Sequence, residues 1–237
     1  MDIDTSSPSR VEPEPDSCSG CTPSSGVSSA KVPIFRRLSY KLRSTLTSDE
    51  EKSEPRPMPE LSSSETRILR RIWPADFGQL YEIGYHIYVR FIDSLNTDHK
   101  RMFSFMKGFE HVETNPDEPR PWVKHRGFKE QTLAFVEIYK KAVSTLTVSV
   151  SNRAEFEELL LSKGRSHLQY EGLRQEHWES INQIVVKVMR ERINGMSDLS
   201  DDEKQVAEAV WRLVANYVMH TIRRGWILER MEKQQKL

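Results

Sequence analysis

Residues 156–181 read Phe156-Glu-Glu-Leu-Leu-Leu-Ser-Lys-Gly-Arg-Ser-His167-Leu-Gln-Tyr-Glu-Gly-Leu173-Arg-Gln-Glu-His-Trp178-Glu-Ser-Ile181. A short apolar helix, Phe156 to Leu161, runs into a polar Lys-Gly-Arg-Ser-His turn, and a new helix opens near Glu176. His167 thus stands near a helix end, Leu173 falls in the connecting turn, and Trp178 and Ile181, three apart, share one helix face. A histidine over such an apolar floor suits a flat, apolar ligand with a metal at its centre. Haem iron held by one imidazole nitrogen has that form. The chain has seven histidines, so the assignment of this one rests on what surrounds it.

The composition narrows the rest. At 237 residues the chain has room for one ordinary domain with extensions, or two small ones. Lys+Arg and Asp+Glu balance at 35 each, which gives no bulk electrostatic case for nucleic acid. From the opening Met1-Asp-Ile-Asp, neither a secretory signal nor, with Asp2, N-terminal myristoylation is expected. No apolar run approaches the roughly 18 residues of a membrane span. The two cysteines, Cys18 and Cys21, lie in the polar leader, and a reducing, cytoplasmic setting is expected.

Residues 1–60 hold eight of the twelve prolines and no aromatic before Phe35. Such a leader buries too little apolar area to offset its ordering entropy and is expected to be disordered. Cys18-Ser-Gly-Cys21 has the spacing of half a zinc site without its other half. Within the leader, residues 31–46 carry five basic residues and no acid, with Leu38, Leu42 and Leu46 spaced by four and Phe35 near their row. As a helix this segment suits an anionic membrane surface, so a peripheral place at the cytoplasmic membrane face is one expectation. Arg36-Arg37-Leu38-Ser39 has the form of a basophilic phosphorylation site, and a phosphate there would weaken the attraction.

From Leu61 the pattern is helical. Leu61-Ser-Ser-Ser-Glu65 sets a capping serine before an acidic first turn, and Ile68, Leu69, Ile72 and Trp73 form a stripe of period 3.6. An apolar helix follows from Leu80 to about Leu95, then the polar turn 96–101 before Met102-Phe103-Ser-Phe105. Residues 108–121 read as a loop. Trp122 to about Leu146 is expected as helix, with Phe128, Phe135, Val136 and Tyr139 on one face. Another helix runs from Glu176 to about Ile193 and stops at Asn194-Gly195, and Ser200-Asp-Asp-Glu203 opens the last one. The class is all-α. The expected organisation is leader 1–60, folded domain 61–228 and a charged tail 229–237.

From about Leu61 to Leu228 this series resembles a globin. The spacing of Trp73 and Gly84, the run Arg90-Phe91-Ile92, Phe103 after the polar turn, and His167 with Leu173, Trp178 and Ile181 behind it carry the likeness. The resemblance implies a globin fold around haem (iron protoporphyrin IX), with His167 as the iron ligand. It also implies that Phe103, Phe128, Phe135, Leu173, Trp178 and Ile181 contact the porphyrin. On the distal side, counting four from Gly84 points Tyr88 into the pocket. Two registers compete on the next helix. His125 as the distal residue keeps the family's loop length but aims Lys129 at the porphyrin; Gln131 lengthens the loop and is followed by Phe135. The cost of burying an unpaired charge, several kcal/mol, favours Gln131.

A Tyr88/Gln131 pair is similar to the distal pair of nematode and other invertebrate globins. It implies reversible binding of dioxygen or another diatomic gas, for transport or sensing. Two other classes stay open: a haem redox enzyme (nitric oxide dioxygenase or weak peroxidase), and a haem-free globin-like interaction module. Lys163, four before His167, departs from the family, where an apolar residue is usual.

Overall fold

Ser62 opens the first helix, α1 (Ser63–Ile72), through a capping box with Glu65. The Ser62 N–H gives to the Glu65 carboxylate at 2.7 Å, and the Glu65 N–H gives to Ser62 Oγ at 3.3 Å. Such reciprocal caps satisfy two donors that no helix carbonyl can reach. The structure is a computed structural model and describes residues 55–112, 120–148 and 152–235. The expectations for Cys18, Cys21, Ser39 and the basic segment 31–46 lie outside those residues.

Asp76 caps α2 (Phe77–Ser94), accepting from Gln79 N at 2.9 Å. The polar turn expected at 96–101 contains one helical turn, α3 (Thr97–Lys100), capped by Asn96. A 3₁₀ turn, Pro121–Lys124, leads into α4 (Arg126–Thr147). The helix expected at Phe156–Leu161 is longer: α5 runs Arg153–Ser166 and ends in a 3₁₀ turn, His167–Gln169. Two further helices complete the fold, α6 (Gln175–Asn194) and α7 (Asp201–Gln235). Among the described residues there is no strand, and the all-α class stands. Nor, among them, is any helix long and apolar enough to cross a membrane.

Two details differ from the sequence reading. The charged segment after Leu228 continues α7 as far as Gln235, its side chains exposed from Arg230 onward. Gly195 closes α6 at φ −75°, an ordinary helical value. Its N–H reaches the carbonyls of Glu191 and Arg192, so the stop there needs no left-handed residue.

Two glycine crossings set the helices around the core. At the first, a Cβ on Gly84 would lie 2.6 Å from Val136 Cγ2 and 2.9 Å from Thr132 Cγ2, so α2 and α4 cross only because it is absent. At the second, α5 rests on α7 backbone to backbone. A Cβ on Gly164 would fall on the carbonyl oxygen of Ile222, and one on Gly225 on the carbonyl oxygen of Leu161. Between these crossings the core is built on aromatics, with Trp73 and Trp211 stacked at 5.3 Å and Tyr139 5.4 Å from Trp211.

Candidate functional site

The two crossings leave a cavity of about 310 Å³ between α2, α4, the α5 end, α6 and α7. The α2–α4 crossing fixes which side chains face it. Gly84 opposes Thr132 and Val136, so Tyr88, one turn after Gly84, and Gln131 and Phe135, flanking that contact, face inward. Phe103 and Met102 enter from the corner after α3, and Leu173, Trp178 and Ile181 from the far side. Of the residues singled out from the sequence, Tyr88, Phe103, Gln131, Phe135, His167, Leu173, Trp178 and Ile181 line this one space.

Phe128 does not. It is fully buried in a neighbouring cluster with Ile92, Phe105, Met106 and Trp122. The turn at Pro121–Lys124 lays Trp122 over it at 5.2 Å, so its ring fills that cluster rather than the cavity. His125, the competing distal residue, is the cap of α4. Its Nδ1 accepts from Gly127 N at 3.0 Å. Lys129 is exposed.

His167 is placed by the way α5 ends. Its Nδ1 is 2.6 Å from the Lys163 carbonyl oxygen. A carbonyl can only accept, so Nδ1 carries the hydrogen and Nε2 keeps a free lone pair. A second partner of this kind both orients a ligating imidazole and raises its basicity. Burial holds the His167 pKa below its ordinary value, the Lys163 carbonyl opposes that shift, and the Lys163 charge adds to it. The ring is therefore neutral near pH 7, the state that a metal needs. Lys163 contributes this carbonyl while its side chain is exposed at the cavity mouth, which accommodates the departure noted in the sequence. Trp178 stands 5.1 Å from the imidazole, backed by Trp226 at 6.1 Å. Among the described residues no group of three or more His, Cys, Asp and Glu could hold a bare metal ion.

Tyr88 and Gln131 are among the polar groups that line the cavity. Burial pushes the Tyr88 phenol well above its ordinary pKa, and neighbouring Tyr170 adds to the shift, so Tyr88 keeps its hydrogen throughout the neutral range. Its ring is held edge-on by Phe135 at 5.5 Å and Phe128 at 6.5 Å. Gln131 gives an amide N–H to the Tyr170 hydroxyl at 3.3 Å.

Tyr170 and His177 are site residues that the sequence reading did not single out. A signal for Tyr170 was present: side chains three apart eclipse in a 3₁₀ turn, and Tyr170 follows His167 by three, its ring 5.5 Å away. His177 lines the cavity wall and its Nδ1 caps Arg174 N at 3.0 Å, while its Nε2 meets His99 Nδ1 at 3.1 Å. The His99 partnership spans 78 residues, and no local pattern announces it.

No family model matches the chain, and no curated protein matches it by sequence. Among solved structures it is similar to a hexacoordinated haem protein from an anhydrobiotic tardigrade, in its crystal structure at pH 4. The TM-score is 0.52 at 16% identity, over 72% of this chain and 97% of that one. At that identity the likeness is one of fold. The chain has an all-α, globin-like fold.

Proposed function

We propose that this chain is a haem protein that binds dioxygen or a related diatomic gas reversibly, with His167 as the iron ligand and Tyr88 and Gln131 as donors to the gas. The observation that carries this reading is the orientation of His167. Its hydrogen is committed to the Lys163 carbonyl, and its free lone pair belongs to a ring that lines an apolar cavity. That the fold neighbour is a haem protein supports it.

Haem would supply the iron that binds the gas; this chain's residues do the rest. Trp178, Ile181, Leu173, Phe103 and Phe135, which line the cavity, would offer apolar contact to the group and would keep water from its iron. Dioxygen draws negative charge on binding, and a phenol O–H and an amide N–H can both donate to it. Each bond contributes roughly 1 kcal/mol, so two together slow dioxygen loss about tenfold to a few hundredfold. Carbon monoxide, far less polar, gains little.

The test is the absorption spectrum of the purified full chain, oxidised, reduced and with carbon monoxide, beside His167→Ala. A Soret band in the parent that is lost or strongly shifted in a still-helical His167→Ala is the expected result. An identical band in both proteins rejects the assignment.

A further inference from the structure

Gln131 is a weak donor if left to itself. It sits half-buried on α4 beside the exposed Lys129 and Glu130, and a glutamine there is free to turn outward to water. Immobilising such a side chain costs rotamer entropy each time it must point inward.

Tyr170 changes that. It is fixed in the turn that carries His167, its N–H on the His167 carbonyl at 3.1 Å and its own carbonyl accepting from Leu173 N at 3.3 Å. Gly172, at φ 84°, supplies the left-handed residue that turns the chain back beneath it. From this turn the phenol oxygen reaches the Gln131 amide at 3.3 Å, and Tyr88 lines the same cavity. Gln131 and Tyr170 are thus joined in the cavity that Tyr88 also lines, and Tyr170 belongs to the turn that carries His167 while the others belong to α4 and α2.

We propose that Tyr170 is a positioning residue for gas binding: its hydroxyl takes one amide N–H of Gln131 and thereby holds the other ready for the gas beside Tyr88. The inference rests on the function proposed above. It makes donation by Gln131 depend on the turn that carries His167.

Tyr170→Phe removes one oxygen atom and keeps the ring. The experiment uses the haem-loaded full chain and measures dioxygen dissociation and the C–O stretching frequency of the carbon monoxide complex, which senses donors near the ligand. Four proteins are compared: parent, Tyr170→Phe, Gln131→Leu and the double variant. Tyr170→Phe should lose dioxygen roughly two- to tenfold faster, the range expected for one hydrogen bond. Its stretch should move towards that of Gln131→Leu, and in the Gln131→Leu background it should add nothing. If Gln131→Leu alters both readings while Tyr170→Phe leaves them unchanged, slows dioxygen loss, or adds its full effect in the double variant, Tyr170 does not act through Gln131. If Gln131→Leu alters neither reading, the distal assignment fails and the inference fails with it.

Discussion

His177 Nε2 lies 3.1 Å from His99 Nδ1 while His177 Nδ1 accepts the Arg174 N–H at 3.0 Å, and this chain of bonds runs in one direction only. The Arg174 amide needs a lone pair on Nδ1, so His177 carries its hydrogen on Nε2 and gives it to His99. A second proton on His177 could enter only at Nδ1, and would break its bond with the Arg174 N–H at the start of α6.

The pair therefore predicts a stability change with pH. Burial lowers the His177 pKa; His99 and Arg174 push the same way, and Glu176 opposes them. With the folded value below the unfolded one, the unfolded chain binds more protons across the interval between them. Stability is then fully present above about pH 6.5 and falls as pH drops through that interval. His167, lowered chiefly by burial, acts in the same direction. In denaturant unfolding, His177→Leu should be weaker at pH 7.5 by about 1 kcal/mol, for the lost cap, and should decline less on acidification. Parallel pH curves for the two proteins would remove His177 from the response.

Two glycine substitutions should behave oppositely. Gly164→Ala places a methyl group on the Ile222 carbonyl and 2.8 Å from Trp226 N, where only backbone could yield. A loss of about 1–3 kcal/mol is expected, with weaker haem retention because α5 carries His167. Gly195→Ala meets nothing nearer than 3.4 Å at an ordinary φ, and should be neutral or stabilising by up to about 1 kcal/mol. Thermal unfolding of the two variants decides the matter; equal losses would mean that the α5–α7 crossing adapts.

An amide and a protonated phenol are poor ligands to ferrous haem. The reduced protein should therefore show a five-coordinate spectrum, unlike the hexacoordinated neighbour. Sharp six-coordinate low-spin bands would require a second imidazole. His125 would then have to leave its cap on Gly127, or His177 its contact with His99.

Tyr88→Phe should raise the dioxygen dissociation rate about fivefold or more and barely change that of carbon monoxide, because only the polar ligand uses the phenol hydrogen. Stopped-flow ligand replacement measures both. Equal changes for the two gases would mean that the ring's packing, rather than its hydroxyl, is at work.

For the leader we propose reversible attachment to anionic membranes through residues 31–46, at about 1 kcal/mol per basic residue before ordering costs, reversed by phosphate on Ser39. Vesicle sedimentation at physiological salt, comparing the full chain with one beginning at Glu60 on anionic and neutral lipids, tests this. Equal sedimentation of both on anionic vesicles would leave the leader a plain linker.

The sequence carries the helices clearly, because caps such as Ser62 with Glu65 and stripes such as Ile68–Leu69–Ile72 are local signals. Tyr88 is reached by counting four from Gly84, and Gln131 by the cost of turning the charged Lys129 inward, and both side chains line the cavity. Phe128 shows where this reasoning stops. It shares a helical face with Gln131 in sequence, yet Trp122, brought over it by a turn, takes its ring out of the cavity. The Gly164–Gly225 contact and the His99–His177 bond join residues distant along the chain, and periodicity says nothing about such pairs.

The Gly164–Gly225 contact also bears on how the protein can move. At most helix crossings a side chain can rotate to absorb a small displacement, but here the facing surfaces are main chain. α5 and α7 thus behave as one stiff body at that point. A shift of α5 at Gly164 meets main chain there and bears on α7, the longest helix among the described residues, whose exposed final turn lies well beyond the crossing.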